Sequence, residues 1–252
     1  MRYLPKSIKA QLIIYLFVFA VFLALKERDF AFLAAVAIAV IAAVSVESLI
    51  LYFKTKKLQI AESSVITGLI IGCVVASDEA WWMFILAASL AISSKYILRF
   101  QKKHIFNPAA FGIFLTIILF GVPTEWKGTY LWYILVPFGI YFAYKIRKLE
   151  IVLGYTIISL LLFGTQDLLR ELPLGNIFGY FSYFYIFVMV IEPKTTPVKS
   201  LEKYIFGAGL AVLIFVLTEA GARFDVELFS LLVMNASVPI LNRIRLKREV
   251  LK

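Results

Sequence analysis

The stretch FAFLAAVAIAVIAAVSVESLILYF, residues 30–53, contains one charged residue, Glu47, within an otherwise uncharged, largely apolar run. A transmembrane helix needs about 20 apolar residues to cross a bilayer, so this stretch predicts a membrane span. The rest of the chain has the same character: 62% of its 252 residues are hydrophobic, 17% are charged, and the mean hydropathy is +0.90. A soluble domain of this length is about half apolar. The composition therefore predicts an integral membrane protein.

Ten apolar segments are separated along the chain by charged residues, Gly or Pro. The third segment is the shortest, and short or interrupted membrane segments often mark a binding site between half-helices. The first follows a basic N-terminus without a small-residue cleavage site, so we interpret it as a retained span. The predicted segments are Ile8–Leu25, Phe30–Phe53, Val65–Ser77, Ala80–Leu98, Ile105–Gly121, Thr129–Tyr144, Ile151–Gly164, Asn176–Ile191, Tyr204–Leu217 and Val226–Leu241.

The lysines and arginines provide an independent test of this segmentation. With the N-terminus inside, 21 of the 26 basic residues fall in inside connections and five in outside connections. The positive-inside rule gives such an asymmetry only if the number of spans is right. We therefore predict ten transmembrane helices in the cell (inner) membrane, with both termini cytoplasmic. The net charge of +10 then indicates a cationic face against anionic lipid headgroups rather than nucleic-acid binding.

Ten spans divide into two halves of five, and an odd number of spans per half makes the halves enter the membrane from opposite sides. The predicted fold class is an all-α polytopic membrane protein with two inverted five-helix repeats and some short or broken helices. We expect a single membrane domain over residues 1–252, with repeats over about 1–125 and 126–252. The third and eighth segments support the repeat, because each ends in a polar, helix-breaking stretch, at residues 76–79 and 192–197.

An Asn and a Pro occur in both the fifth and the tenth segments, at positions that we interpret as corresponding. Asn107 precedes Pro108, which frees a backbone carbonyl; this pair suits either a helix start or the frame of a central site. Asn235, followed by Pro239, lies deeper in its segment. An unpartnered buried amide costs a few kcal/mol, so we expect Asn235 to form a hydrogen bond across helices.

Two carboxylates are candidates for an ion pathway, because an intramembrane acidic residue is a functional candidate by default. Glu47 lies near the cytoplasmic end of the second segment, where snorkelling or a subunit contact would explain it equally well. Glu192 lies at the membrane edge before Thr195 and Thr196. A cytoplasmic turn is the alternative explanation for this stretch.

The chain has one cysteine, Cys73, and one histidine, His104. An iron–sulfur cluster needs about four thiolates, and a bis-histidine haem needs two histidines. We identify no catalytic constellation and no metal-ligand cluster in the sequence. If the chain carries electrons, it must use an organic cofactor or ligands from a partner. Gly68 and Gly72 in the third segment form a small-residue face that favours close helix packing.

The chain resembles, as a short and divergent member, the NqrB/RnfD family of membrane subunits of the sodium-pumping NADH:quinone reductase and the Rnf electron transport complex. The ten-span inverted repeat is also that family's fold. The matching stretches occur in the family's order and cover most of residues 60–245; they are Thr67-Gly68-Leu69, Lys103 to Ala110, Met189 to Pro197, Tyr204 to Gly209, and Leu232 to Asn235 with Pro239.

This resemblance implies a membrane subunit of a flavin-linked, ion-coupled electron transport complex. Its partners would be flavoprotein or iron–sulfur subunits and quinone. Family members often carry FMN on a threonine in a Ser-Gly-Ala-Thr stretch after the fifth span, but residues 121–128 lack that stretch, and Thr124 is the only hydroxyl there. We therefore expect either non-covalent flavin, as FMN or riboflavin, or a divergent relative that has kept only the scaffold. The cofactor-binding candidates are Thr67, Asn107, Pro108, Asn235, Thr195 and Thr196.

Two other functions remain open from the sequence. The architecture also resembles that of urea-type channels, and Asn107, Asn235 and Thr67 would then line a path for a small solute or ion. The chain could instead be a scaffold whose basic loops dock soluble partners.

Overall fold

The computed structural model describes residues 7–101, 103–173 and 178–244. Over these residues the chain is mostly helical, and each of the ten predicted segments overlaps one of the ten helical elements given below, which confirms the all-α polytopic membrane fold. The eighth segment was predicted from Asn176, and residues 174–177 lie outside the described part. The elements are α1 (Ile8–Glu27), α2 (Phe30–Thr55), α3 (Glu62–Val74), α4 (Trp81–Ile97), β1 (Arg99–Phe100), β2 (Lys103–His104), α5 (Pro108–Phe120), α6 (Trp132–Lys145), α7 (Leu149–Leu169), a π-helical segment (Tyr185–Met189), α8 (Ser200–Glu219) and α9 (Val226–Ile244).

The helices differ in their ability to cross a membrane. Four of them, α1, α2, α7 and α8, are long and apolar enough to do so, while α3, α4, α5 and α9 are shorter apolar helices. The π-helical segment has five residues and is therefore shorter than α3, which has 13. The protein is thus multi-pass. Residues 1–6 and 245–252 lie outside the described residues, and the cytoplasmic placement of both termini stays a prediction.

The chain forms two compact units. Unit 1 comprises Met1–Arg99 and Pro108–Gly128, and it contains α1 to α5. Its helices pack closely through glycine: a Cβ on Gly68 would lie 2.5 Å from Cα of Val40, and a Cβ on Gly72 would lie 2.6 Å from Cα of Val36. Only glycine allows α3 to lie this close to α2, which confirms the predicted small-residue packing face.

In unit 1, α3 ends inside the protein at Val74, and the loop after α5 supplies the hydrogen bonds that its last carbonyls need. The backbone N–H of Glu125 donates to the carbonyl of Val74 over 2.8 Å, and that of Lys127 donates to the carbonyl of Cys73 over 2.8 Å. Val75 then pairs with Thr124 in an antiparallel bridge. Backbone pairing therefore satisfies this short helix where water is excluded.

The same loop is held by an ion-pair cluster around Lys127. Its ammonium nitrogen lies 2.7 Å from Glu125, 3.0 Å from Asp29 and 3.6 Å from Glu27. Asp29 also accepts a 2.9 Å hydrogen bond from the backbone N–H of Phe32, which caps α2. The cluster fixes the loop to the connection between α1 and α2.

Unit 2 comprises Phe100–Asn107 and Thr129–Lys252, and it contains α6 to α9 with the π-helical segment. Here α7 packs on α8 through a close glycine contact, because a Cβ on Gly154 would lie 2.6 Å from the carbonyl oxygen of Tyr204. Lys203 of α8 pairs with Glu150 of α7 over 3.2 Å. Residues 100–107, which include β2, pack with this second unit although they precede α5 in the chain.

Candidate functional site

Asn107 and Asn235 meet in the interior of unit 2. The backbone N–H of Asn107 donates to Oδ1 of Asn235 over 2.8 Å. The side-chain amide of Asn107 donates to the carbonyl of Met189 over 3.1 Å, and that of Asn235 donates to the carbonyl of Thr195 over 3.0 Å. Asn107 is 3% exposed and Asn235 is fully buried. Asn235 therefore has buried hydrogen-bond partners, as expected, but they lie outside helices: Asn107 precedes α5, and Thr195 follows the π-helical segment.

Local sequence explains where these two residues lie. Pro108 is the first residue of α5, so Asn107 stands immediately before the helix, as the helix-start interpretation predicted. Pro239 instead lies inside α9, four residues after Asn235. The two Asn and Pro pairs thus do not occupy corresponding positions in their helices, which corrects the prediction. Because Pro239 has no N–H, it cannot give the carbonyl of Asn235 the usual helical hydrogen bond.

Glu192 organises the stretch that follows the π-helical segment. Its Oε1 lies 3.3 Å from Nε2 of His104, and its Oε2 accepts a 3.2 Å hydrogen bond from the hydroxyl of Thr195. Its backbone carbonyl accepts a 2.7 Å hydrogen bond from the hydroxyl of Thr196. Thr195 and Thr196 are 2% and 3% exposed. The structure therefore joins the predicted residues of this stretch to a histidine 88 positions away.

A cavity of about 460 Å³ lies beside these residues within unit 2. Its walls are partly apolar, and two exposed lysines stand on its lining. The lining residues are Phe100, Gln101, Lys103, His104, Ile105, Lys194, Thr195, Thr196, Val198, Asn235, Val238, Pro239 and Asn242. A mostly apolar cavity of this size with two lysines on its lining suits an organic molecule with a ring and an anionic group.

Three predicted site residues belong to unit 1. Thr67 lies in α3, where its hydroxyl donates to the carbonyl of Ser63 over 2.8 Å. Pro108 opens α5. Glu47 lies in α2, 5% exposed, and it pairs with the ammonium of Lys95 over 2.9 Å. By contrast, Asn107, Asn235, Thr195, Thr196 and Glu192 come together in unit 2.

Sequence reasoning did not assign several side chains that contact the candidate residues. Lys95 was counted among the basic residues of a connection, but it lies in the last turn of α4 and is 8% exposed. Its ammonium also donates to the hydroxyl of Ser63 over 3.2 Å, and the hydroxyl of Tyr96 donates to Glu47 over 3.1 Å. The sequence could have indicated His104 as a site residue, since it is the chain's single histidine and precedes Asn107 by three residues. Among the described residues, no group of three or more His, Cys, Asp or Glu side chains could hold a metal ion.

Comparison with protein families gives two overlapping matches to one model, described as the NQR2, RnfD, RnfE family. The first covers residues 5–134 and the second covers residues 128–250. Each match includes five helical elements, so the predicted two-repeat organisation is confirmed. No match was found among curated proteins.

Proposed function

Because the chain belongs to the NQR2, RnfD, RnfE family, and is thus a membrane subunit of the Na⁺-NQR/Rnf type, we propose that it carries electrons through a bound flavin in an ion-coupled complex. The cavity of unit 2 is the observation on which this proposal rests. The flavin is FMN or riboflavin, held without a covalent bond. Its role is to accept and release the electrons, and the protein binds and shields it.

The residues around the cavity fit a flavin in three respects. The volume of about 460 Å³ lies within the usual range of about 300–1,000 Å³ for small-molecule sites. Ile105, Val238 and Pro239 give an apolar wall for a ring, and Lys103 and Lys194 offer positive charge for a phosphate. The amides of Asn107 and Asn235 are already bonded to protein groups, so they shape the wall rather than donate to the ligand.

Hydrogen bonds to the ring would come from acceptors that the protein leaves available at the wall. The carbonyl of Asn235 lacks its usual helical donor because Pro239 has no N–H. The hydroxyl oxygens of Thr195 and Thr196 each donate to Glu192 and retain a lone pair that can accept. A ring with an N–H edge, such as that of a flavin, complements this set.

The carboxylates contribute the proposed ion coupling. Glu192, whose Oε1 lies 3.3 Å from Nε2 of His104, is the proposed ion-coupling carboxylate of unit 2. Glu47, paired with Lys95, is the corresponding candidate in unit 1. We place the chain in the inner membrane with its basic connections on the cytoplasmic side, where flavoprotein or iron–sulfur subunits would dock. Quinone is the proposed lipid-soluble electron acceptor.

The visible absorption spectrum of the protein, purified in mild detergent after expression with its natural partners, tests the proposal. We expect flavin bands in the wild type and their loss in Val238→Trp, which fills the cavity. Val233→Trp is the matched control, because Val233 lies on the same helix and is 38% exposed, outside the cavity. A wild-type preparation without flavin absorbance would refute the proposal. Equal flavin content in both variants would place the cofactor away from this cavity.

A further inference from the structure

Lys148 is a buried lysine whose backbone is fixed between two helices. It lies between α6 and α7, and only 5% of it is exposed. Its N–H donates to the carbonyl of Ala143 over 2.7 Å, and its carbonyl accepts from the N–H of Ile151 over 3.1 Å. The side chain therefore starts from a rigid point in unit 2.

Residues 194–198 form one wall of the cavity, and the ammonium of Lys148 reaches the end of this stretch. Its Nζ donates to the carbonyl of Pro197 over 2.6 Å and lies 3.5 Å from the carbonyl of Thr196. The preceding carbonyl, that of Thr195, accepts from Asn235. Three consecutive carbonyls are thus bonded by side chains, in a stretch that belongs to no helix or strand.

This wall has few other means of holding its shape. Pro193 and Pro197 have no N–H, and the hydrogen bonds of Glu192 with Thr195 and Thr196 act only on its first part. Buried carbonyls that lack a donor cost about 1–3 kcal/mol each. At the end of the wall, Lys148 donates the hydrogen bonds to backbone carbonyls that a helix or strand would otherwise provide.

We propose that Lys148 is a positioning residue that fixes Thr196 and Pro197 and thereby sets the wall on which the bound ligand rests. It acts through the carbonyls of the wall and does not line the cavity itself. The functional part of this inference rests on the proposed flavin site. The positioning of the wall can be measured without any ligand.

Hydrogen exchange of the full-length protein in detergent, followed by mass spectrometry, measures this positioning. In Lys148→Met we expect the amides of Thr196, Val198 and Lys199 to exchange about tenfold faster, because their local opening becomes easier. Peptides from α7 and α8 should keep their wild-type rates. Lys148→Arg should restore much of the protection, since a guanidinium also donates to carbonyls. Lys145→Met is the matched control, because Lys145 is exposed three residues earlier in the chain.

Binding of added riboflavin and of FMN to the same proteins, followed by quenching of flavin fluorescence, links the wall to the ligand. We expect Lys148→Met to bind about tenfold more weakly, equivalent to about 1.4 kcal/mol, with Lys148→Arg and Lys145→Met near wild type. Wild-type exchange rates in Lys148→Met would overturn the inference, and so would faster exchange throughout α7 and α8. If the wild type binds neither flavin, the proposed function fails, while the exchange data still decide the role of Lys148.

Discussion

The backbone N–H of Asn107 donates to the side-chain oxygen of Asn235 over 2.8 Å, across 128 positions of the chain. The first residue stands before Pro108, and the second lies within α9. Asn235 uses its other amide atom to bind the carbonyl of Thr195. The side chain of Asn235 thus links the residue that precedes α5 to the wall of the cavity. Both hydrogen bonds are buried in unit 2.

Replacing Asn235 by Leu should destabilise the protein strongly. The change leaves the N–H of Asn107 and the carbonyl of Thr195 buried without their partner, and each such group costs about 1–3 kcal/mol. We expect the free energy of unfolding in detergent to fall by about 2–6 kcal/mol. Ser237→Ala is the control, because Ser237 bonds only to a carbonyl of its own helix among the contacts described. Equal stability of the two variants would show that the Asn235 bonds contribute little.

The buried pair of Glu47 and Lys95 should show strong coupling. Removing one partner of a buried pair leaves an uncompensated charge and costs about 3–5 kcal/mol, whereas an apolar pair can be nearly neutral. We therefore expect Glu47→Leu and Lys95→Leu each to be destabilising and the double variant to be less so than their sum. Unfolding free energies over this double-mutant cycle measure the coupling. Simple additivity would contradict the direct ion pair at 2.9 Å.

The contact between α3 and α2 should tolerate no added methyl group. A Cβ at Gly68 would lie 2.5 Å from backbone Cα of Val40, so the helices must move apart in Gly68→Ala. Such overpacking typically costs about 1–3 kcal/mol. Gly179→Ala is the matched control, because nothing lies within 4 Å of its added Cβ. Thermal unfolding followed by circular dichroism compares the two, and a Gly68→Ala protein as stable as the control would contradict the close packing.

The ten helical elements and the two repeats were predictable because both depend on properties local to each segment. Hydrophobic length identifies a span such as Phe30–Thr55, and the distribution of basic residues tests the count. The bonding of Asn235 was also predictable in kind, since a buried amide must find a partner. Its actual partners were not predictable, because they come from stretches 40 and 128 positions away and depend on how the helices pack.

Other features were missed for the same physical reason. Lys95 stands near the end of an apolar segment, where a lysine ordinarily reaches water, and only the packing of α4 on α2 directs it to Glu47. The eighth segment has an apolar run long enough for a longer helix, yet its described helical core is the five-residue π-helical segment. The side chains of Asn107, Asn235 and Lys148 satisfy the carbonyls that this short helix and the following stretch expose. Such long-range compensation leaves no periodic signal in the sequence.

Stability should rise with pH above about 8 because of Lys148. The pKa of this lysine falls from its ordinary value of about 10.5 to about 8, chiefly because of burial; the charges of Lys203 and Lys103 add to this effect, and Glu150 opposes it. Between these two pH values the unfolded chain binds more protons than the folded protein at this residue. The free energy of unfolding therefore increases with pH over this window, by no more than about 1.4 kcal/mol per pH unit.

Chemical denaturation in detergent at several pH values from 7 to 10.5, followed by tryptophan fluorescence, measures this slope. Lys148→Met should flatten the slope, because methionine does not titrate, while Lys145→Met should keep it, since Lys145 is exposed. Lysines that do not interact with Lys148 contribute equally to all three proteins, so the difference between the variants reports the titration of Lys148 and its coupling to Lys203 and Lys103. A slope that is the same in Lys148→Met and the wild type would mean that Lys148 keeps its ordinary pKa in the folded protein. Its ammonium would then be in contact with water, which contradicts its burial against the carbonyls of Thr196 and Pro197.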